Sequence, residues 1–407
     1  MPFGSLSRTL TRTTLRLVPL TPVHIGDGTE MRLDEYVLDD PASRPRTPRY
    51  DEYGEEIEDA PVSPGRQANL CRFDPVRAIR TMSRPVELTR FRTALDHARL
   101  GDAAKELRAA GQRCIEERIP ISRASLDELR SAMDDSAGAR TGAVHPFVRT
   151  NGYPYIPGSS IKGAFRTALA SAALPREGRD QGSWDHGSAM QAALGVDPHD
   201  TATDPLRFLH VSDVMLPEAY TVIDRAEMVH PGKPDARKMQ MHYERTRSLV
   251  DDRKLAPFEV SLTIDSRAMA VAARQARFSR NRMIDTVREF HWKVFNGELS
   301  AFFKESKDSN QALTGMLAAH KAPDGRSPAS DGKFQTDFLL LRLGRFGHFE
   351  SKSLEGVRRG HFPQLKKFGR EIGPPGQGGH TRTIVRIGDK AVPFGWVIGW
   401  VVKEEIL

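Results

Sequence analysis

Short runs of apolar residues, set between polar and glycine-rich stretches, mark out five strands along the chain. Leu15 and Leu17 alternate with Thr14 and Arg16 in a first strand at Thr14–Leu20. RFLHVSDV predicts a second at Arg207–Val214, and PFEVSLTI a third at Pro257–Ile264. FLLLRLG predicts a fourth at Phe338–Gly344, and the apolar run FGWVIGWVV a fifth at Phe394–Val402. A shorter extended piece, DEYVLDD, covers Asp34–Asp40. Helical spacing dominates Asp74–Asp135, where Ser122 or Ser125 caps the last helix, and again from Ser266 to Lys304. PYIPGSSIKGAFRTAL, from Pro154 to Leu169, is an apolar, proline-bounded run that turns on Gly158 into a helix, with Ser159 or Ser160 placed to cap it.

In order, the core elements read β, α, β, β, α, β with insertions. This is the order of an α+β fold with a modified ferredoxin-like, or RNA-recognition-motif, core (βαββαβ) carrying large helical and loop insertions. The chain divides accordingly. Residues 1–40 hold the first strand and its glycine loop, and residues 41–145 a mobile loop and a helical insertion. Residues 146–265 hold core elements plus a polar, exposed hairpin or disordered loop near 227–254, and residues 266–407 the C-terminal half. Pro41–Gly65, rich in Pro, Arg, Asp and Glu, has the composition of a mobile surface insertion.

Charge changes this picture. The 407 residues carry a net charge of +7, and arginine supplies most of the positive side. Arginine forks onto phosphate and stacks on bases, so the balance leans towards nucleic acid. Cys71 and Cys114 have no neighbours at metal-ligand spacing, which argues against a zinc site or a disulfide framework. His186, His199, Asp200, His210 and Asp213 are metal-ligand types without a recognised spacing, so no metal and no cofactor are expected. No apolar run reaches about 18 residues, and the first residues lack a continuous apolar segment, so a cytoplasmic protein with no membrane contact is expected.

Three glycine loops offer backbone N–H groups to phosphate: His24–Gly28, Gly344–Ser353 and Gly373–Thr383. Arg342, Arg345, Lys352, Arg358, Arg359, Lys366, Lys367, Arg370 and Arg382 surround the last two. At the start of the PGSS helix, Lys162 and Arg166 are four apart and share a face. GSSIKGAF lacks the GKS or GKT ending of a nucleotide P-loop, and GRFG is not a dinucleotide fingerprint. A phosphodiester backbone fits several such loops better than one nucleotide does.

LTPVHIGDG, PYIPGSSIKGAFR, RFLHVSDV, LLLRLGRFGHFESKS and PFGWVIGW together resemble the RAMP superfamily of CRISPR-associated proteins. Within it, the combination is similar to the family of fifth subunits of the type III-A Csm effector complex. The resemblance implies a non-catalytic subunit that holds the 3′ portion of the CRISPR RNA at the head of a ribonucleoprotein filament. Its implied partners are CRISPR RNA, target RNA, other Csm subunits (above all the repeating backbone RAMP subunit) and host nucleases that trim the RNA 3′ end. On this sequence, Gly158, Ser159, Ser160, Lys162 and Arg166 would contact RNA phosphates. His24, Gly26 and Gly28 would shape the adjoining loop. Arg342, Gly344, Arg345, Gly347 and Lys352 would form a C-terminal contact, and Glu227–Lys254 a thumb hairpin over the guide–target duplex. The alternative is a RAMP endoribonuclease that cleaves target RNA with Asp27 and a divalent metal, or processes CRISPR RNA with His24 as general base.

Overall fold

The computed structural model describes residues 10–43, 49–50, 56–57, 67–134, 142–174, 186–230, 233–265, 267–269, 280–303, 309, 313–317, 321, 325–330, 333–335, 338–354 and 381–407. Its centre is a five-stranded antiparallel sheet in the order Leu209–Val211, Phe258–Asp265, Leu10–Pro19, Trp396–Ile406, Phe338–Arg342. Leu10–Pro19 and Leu209–Val211 run parallel with Phe258–Asp265 between them, joined by a crossover that contains the Gly158–Ala173 helix. The Arg280–Phe302 helix then leads back to the far side of the first strand. The ferredoxin-like order therefore holds. Trp396–Ile406 takes the fourth place, and Phe338–Arg342 is a fifth strand added at the edge.

The apolar runs follow from this placement. Leu15, Leu17, Leu339, Leu341 and Val397 face a cluster with Ile161, Phe165 and Leu169 of the Gly158–Ala173 helix. Val18, Phe338, Leu340, Trp396 and Ile398 face a second cluster with Tyr243, Ile384 and Val385. The long helix serves both. Met283, Val287 and Phe290 enter the first cluster, while Phe295 and Leu299 enter the second. With both faces covered, the strands have no solvent side and lose their alternation.

A second sheet closes the other face, in the order Lys390–Pro393, Arg382–Ile387, Thr221–His230, Lys233–Thr246, Val144–His145. The hairpin expected as an exposed element near 227–254 begins earlier, at Thr221, and its base is interior: Tyr243, Glu244 and Arg245 are buried. Their charges made the segment look solvent-facing. Glu244 is matched by Arg149 and Tyr243 by the rings of His24 and His145 from distant parts of the chain, and Arg245 by Asp224 and Asp251 close by.

The helical insertion is partly a sheet. Tyr36–Asp39, Asn69–Phe73 and Ile115–Pro120 pair in that order. Helices Pro75–Thr81, Pro85–Asp96 and Leu100–Gly111 form an apolar cluster with it around Phe73, Met82 and Leu107. The Arg123–Asp134 helix closes another around Tyr36, Leu126 and Leu129. IEERIP was hidden as a strand by its three charges. Ser122, not Ser125, caps the last helix, its hydroxyl accepting from the Ser125 N–H at 3.4 Å. The second core strand is shorter than Arg207–Val214: Pro205–Phe208 is a 3₁₀ turn, and Val214–Met215 joins a separate small sheet. Most of Pro41–Gly65, the start of the long helix and the Gly373–His380 part of the third glycine loop lie outside the described residues, as do Arg358, Arg359, Lys366, Lys367 and Arg370.

Candidate nucleic-acid interface

Two of the glycine loops form one structure. The strand Leu10–Pro19 delivers His24 to the point where Phe338–Arg342 ends, and the Arg345 N–H donates to the His24 carbonyl at 2.9 Å. Gly344 turns there with φ +85°, and a Cβ on it would sit 2.3 Å from that carbonyl oxygen. Only glycine meets both conditions without strain. The last strand locks the same junction. Gly395 donates to the Pro22 carbonyl at 2.7 Å, and the Trp396 N–H donates to the Thr21 hydroxyl at 2.9 Å.

Beneath the loop, His24 is buried and its Nδ1 lies 2.7 Å from the Glu244 carbonyl. Burial pulls its pKa from 6.5 to about 4, so the ring is neutral near pH 7. Gly26 lies across the other nitrogen: a Cβ there would be 2.9 Å from His24 Nε2. The ring meets Tyr243 edge-on at 4.9 Å, and Tyr243 in turn stacks with His145 at 4.6 Å and meets Phe346 at 4.9 Å. His24 thus packs beneath the loop, with its imidazole enclosed by Gly26, Tyr243 and the Glu244 carbonyl. Asp27 holds its own turn, accepting from the N–H and the hydroxyl of Thr29 at 2.8 and 2.7 Å.

Residues 26–30 and Arg345 are exposed above this base. The Arg345 guanidinium lies 5.8 Å from the centroid of the Tyr243 ring, and the Lys352 ammonium donates to the Arg345 carbonyl at 2.9 Å. Partial desolvation of the ammonium, with repulsion from Arg342 and Arg345, lowers the Lys352 pKa. Gly347 packs close under Ser351 and Lys352.

Arg342 and Arg382 are corrections. Both are buried, where RNA contact was expected of the first and a glycine-loop cation of the second. Glu298 accepts from Arg382 Nε and pairs with Arg342 Nη1, both at 2.7 Å, and takes the Trp396 indole N–H at 2.7 Å. Arg382 also reaches Glu350. A buried guanidinium requires such a partner. The pair staples the long helix to the strands, and it leaves no cation at the surface.

The PGSS helix differs from expectation at its cap. Its N-cap is Pro157, and neither Ser159 nor Ser160 caps it. The Gly158 N–H instead donates to Asp213 Oδ1 at 2.7 Å, from the RFLHVSDV segment. A Cβ on Gly158 would lie 2.2 Å from the Val211 carbonyl oxygen, so this glycine permits the helix to start against that strand. A carboxylate of the protein thus meets the positive end of the helix. Ser159 is exposed and Lys162 half-buried, while Arg166 is ion-paired with Asp204. Lys162 remains available to an anion, whereas Arg166 is already engaged.

Sequence reasoning missed Arg149, Glu117, Glu244 and Tyr243. Arg149 forks onto both oxygens of buried Glu244 at 2.6 Å and pairs with Glu117, tying the insertion to the hairpin base. No local signal marks them, since each partner is distant in sequence. Among the described residues no cluster suited to a metal ion is found, and no helix is long and apolar enough to cross a membrane.

No curated protein matches the chain in sequence. The chain resembles a protein of the Csm–crRNA–target RNA ternary complex of a type III-A CRISPR–Cas system, solved by cryo-electron microscopy, with a TM-score of 0.58 at 17% identity, covering 96% of this chain and 100% of that one. It also resembles the crystal structure of T. onnurineus Csm5, with a TM-score of 0.54 at 17% identity, covering 94% and 99%. The RAMP superfamily matches residues 16–202, which take in the first glycine loop and the PGSS helix. The chain thus carries a RAMP-superfamily match over its first half and has a Csm5-like fold.

Proposed function

We propose that this chain is a non-catalytic RNA-binding subunit of a type III-A CRISPR effector complex. It holds the 3′ portion of the CRISPR RNA at the end of the filament and supports assembly and 3′-end maturation. The observation that carries the reading is the fused glycine junction. Gly26 and Gly28 are exposed where Gly344 joins the two loops, with Arg345 and Lys352 beside them. An exposed glycine-rich turn next to two cations suits a phosphodiester chain read by shape and charge. Likeness along nearly the whole length to a protein from a Csm–crRNA–target RNA complex supports the same assignment. Its partners on this reading are CRISPR RNA, target RNA, the repeating backbone RAMP subunit and other Csm subunits, with host nucleases joining for trimming.

The test is binding of single-stranded RNA by the full chain over a range of salt. Replacing Lys162, Arg345 or Lys352 by Ala is expected to weaken binding and to lower the slope of log K against log salt by about 0.7 for each phosphate no longer neutralised. Absence of RNA binding, alone and with the other subunits, overturns the reading. The cleavage alternative has its own check. Asp27→Ala or His24→Ala that abolishes RNA cleavage by the assembled complex while assembly persists would make this chain the nuclease.

A further inference from the structure

A small sheet precedes the PGSS helix and carries an unused aromatic face. Arg149–Thr150 turns on Asn151 and Gly152, both at positive φ (50° and 82°), into Tyr153–Ile156, which pairs with Val214–Met215. Two consecutive left-handed residues make the tight hairpin whose twist matches its strands. Along Tyr153–Ile156 the residues alternate. Pro154 and Ile156 are buried, while Tyr153 and Tyr155 point outward. The register sets Met215 opposite Tyr155 and Val214 opposite Ile156. Tyr153, Tyr155 and Met215 therefore share one face, with Tyr153 50% and Met215 49% exposed. Neither tyrosine hydroxyl has a hydrogen-bond partner among the described residues.

This face continues the glycine junction. The Val148 N–H donates to the Ile25 carbonyl at 2.7 Å, and the Tyr155 N–H donates to the Val148 carbonyl at 3.2 Å. One ladder thus runs from the first glycine loop through Val148 and Tyr155 to Met215.

We infer that Tyr153 and Tyr155, with Met215 beside them, form a stacking platform for successive bases of single-stranded RNA whose backbone lies along the glycine junction. The inference rests on the RNA-binding reading above. Outward side chains two apart on a strand are about 6.7 Å apart along it, a spacing suited to bases splayed from an extended strand, and aromatic faces accept any base. Three side chains make a small patch for a stable protein contact, which buries about 800 Å² on each partner. Free hydroxyls at the ring edges leave room for polar contacts to the sugar or base.

The experiment uses the full chain and a mixed-sequence RNA carrying 5-iodouracil. Photocrosslinks are expected on Tyr153 or Tyr155. Tyr153→Ala and Tyr155→Ala should each weaken binding about five-fold or more, with the salt slope unchanged, while Tyr→Phe and Tyr→Trp at the same positions keep affinity. RNA binding that is unaltered in the double alanine variant, without crosslinks at either tyrosine, overturns the platform and leaves the RNA-binding reading intact. A double variant that keeps RNA affinity but no longer enters the assembled complex overturns it in favour of a protein contact. Failure of the wild-type chain to bind RNA at all removes both readings.

Discussion

Gly344 lies so close to His24 that a methyl group on it would fall 2.3 Å from the His24 carbonyl oxygen. The two residues are far apart in sequence, yet each glycine loop is the wall of the other. Gly344→Ala must relieve both the positive φ and the close approach, at a cost of about 1–3 kcal/mol. Gly28→Ala, where φ is +91° with open space around it, carries only the backbone penalty of about 1–2 kcal/mol. Urea midpoints of the two variants should fall in that order, and Gly344→Ala should also weaken RNA binding. Equal midpoints would mean that the junction is looser than described.

Glu298 compensates two buried guanidiniums. Glu298→Gln keeps the shape but removes the charge, and is expected to lower stability by about 3–5 kcal/mol. The salt slope of RNA binding should not change in whatever fraction remains folded. A changed slope would place Arg342 or Arg382 at the RNA after all.

Arg166 and Lys162 separate in the same way. Arg166→Ala breaks the pair with Asp204 and should cost about 0.5–1 kcal/mol of stability with little effect on the salt slope. Lys162→Ala should do the reverse. Thermal melts and salt titrations of the two single variants distinguish them.

Buried histidines make folding sensitive to mild acid. Burial lowers the pKa of His24 and His242 from 6.5 to about 4, and that of His291 to about 3. Below about pH 6.5 the unfolded chain therefore binds more protons than the folded one. Stability is then full above pH 6.5 and falls as the pH drops towards 4, by up to about 1.4 kcal/mol per pH unit for each such histidine. Denaturant titrations between pH 7.5 and 5 should show this fall, and His24→Gln should reduce its steepness. A flat profile would refute the burial of these rings.

Much of the core was legible because its signals are local. The strand runs at Thr14–Leu20 and Phe394–Val402, and the glycine that opens the PGSS helix, declare themselves in a few residues. The interior of the hairpin was not legible. Glu244 and Arg245 read as solvent-facing until Arg149, Asp224 and Asp251 are brought to them. The same blindness put Arg342 and Arg382 at the surface. A charge cannot announce its burial when its counter-ion lies elsewhere in the chain. Asp213 was the near miss: it stands in the RFLHVSDV motif and reads there as a metal-ligand type, and its role is to hold the Gly158 N–H.

Thr11 stands opposite Ile406 in the central sheet. Leu10–Pro19 therefore gains its neighbour on one side only after residues 396–406 have been translated. Pairings this remote in sequence slow folding, and until they form the strand offers unpaired backbone to other chains. The insertion is better placed in time, because its sheet and its two apolar clusters draw mostly on residues 31–144. It is expected to settle while the rest is still being made. Pulse-labelled hydrogen exchange on refolding protein should then protect Asn69–Phe73 before Leu10–Pro19.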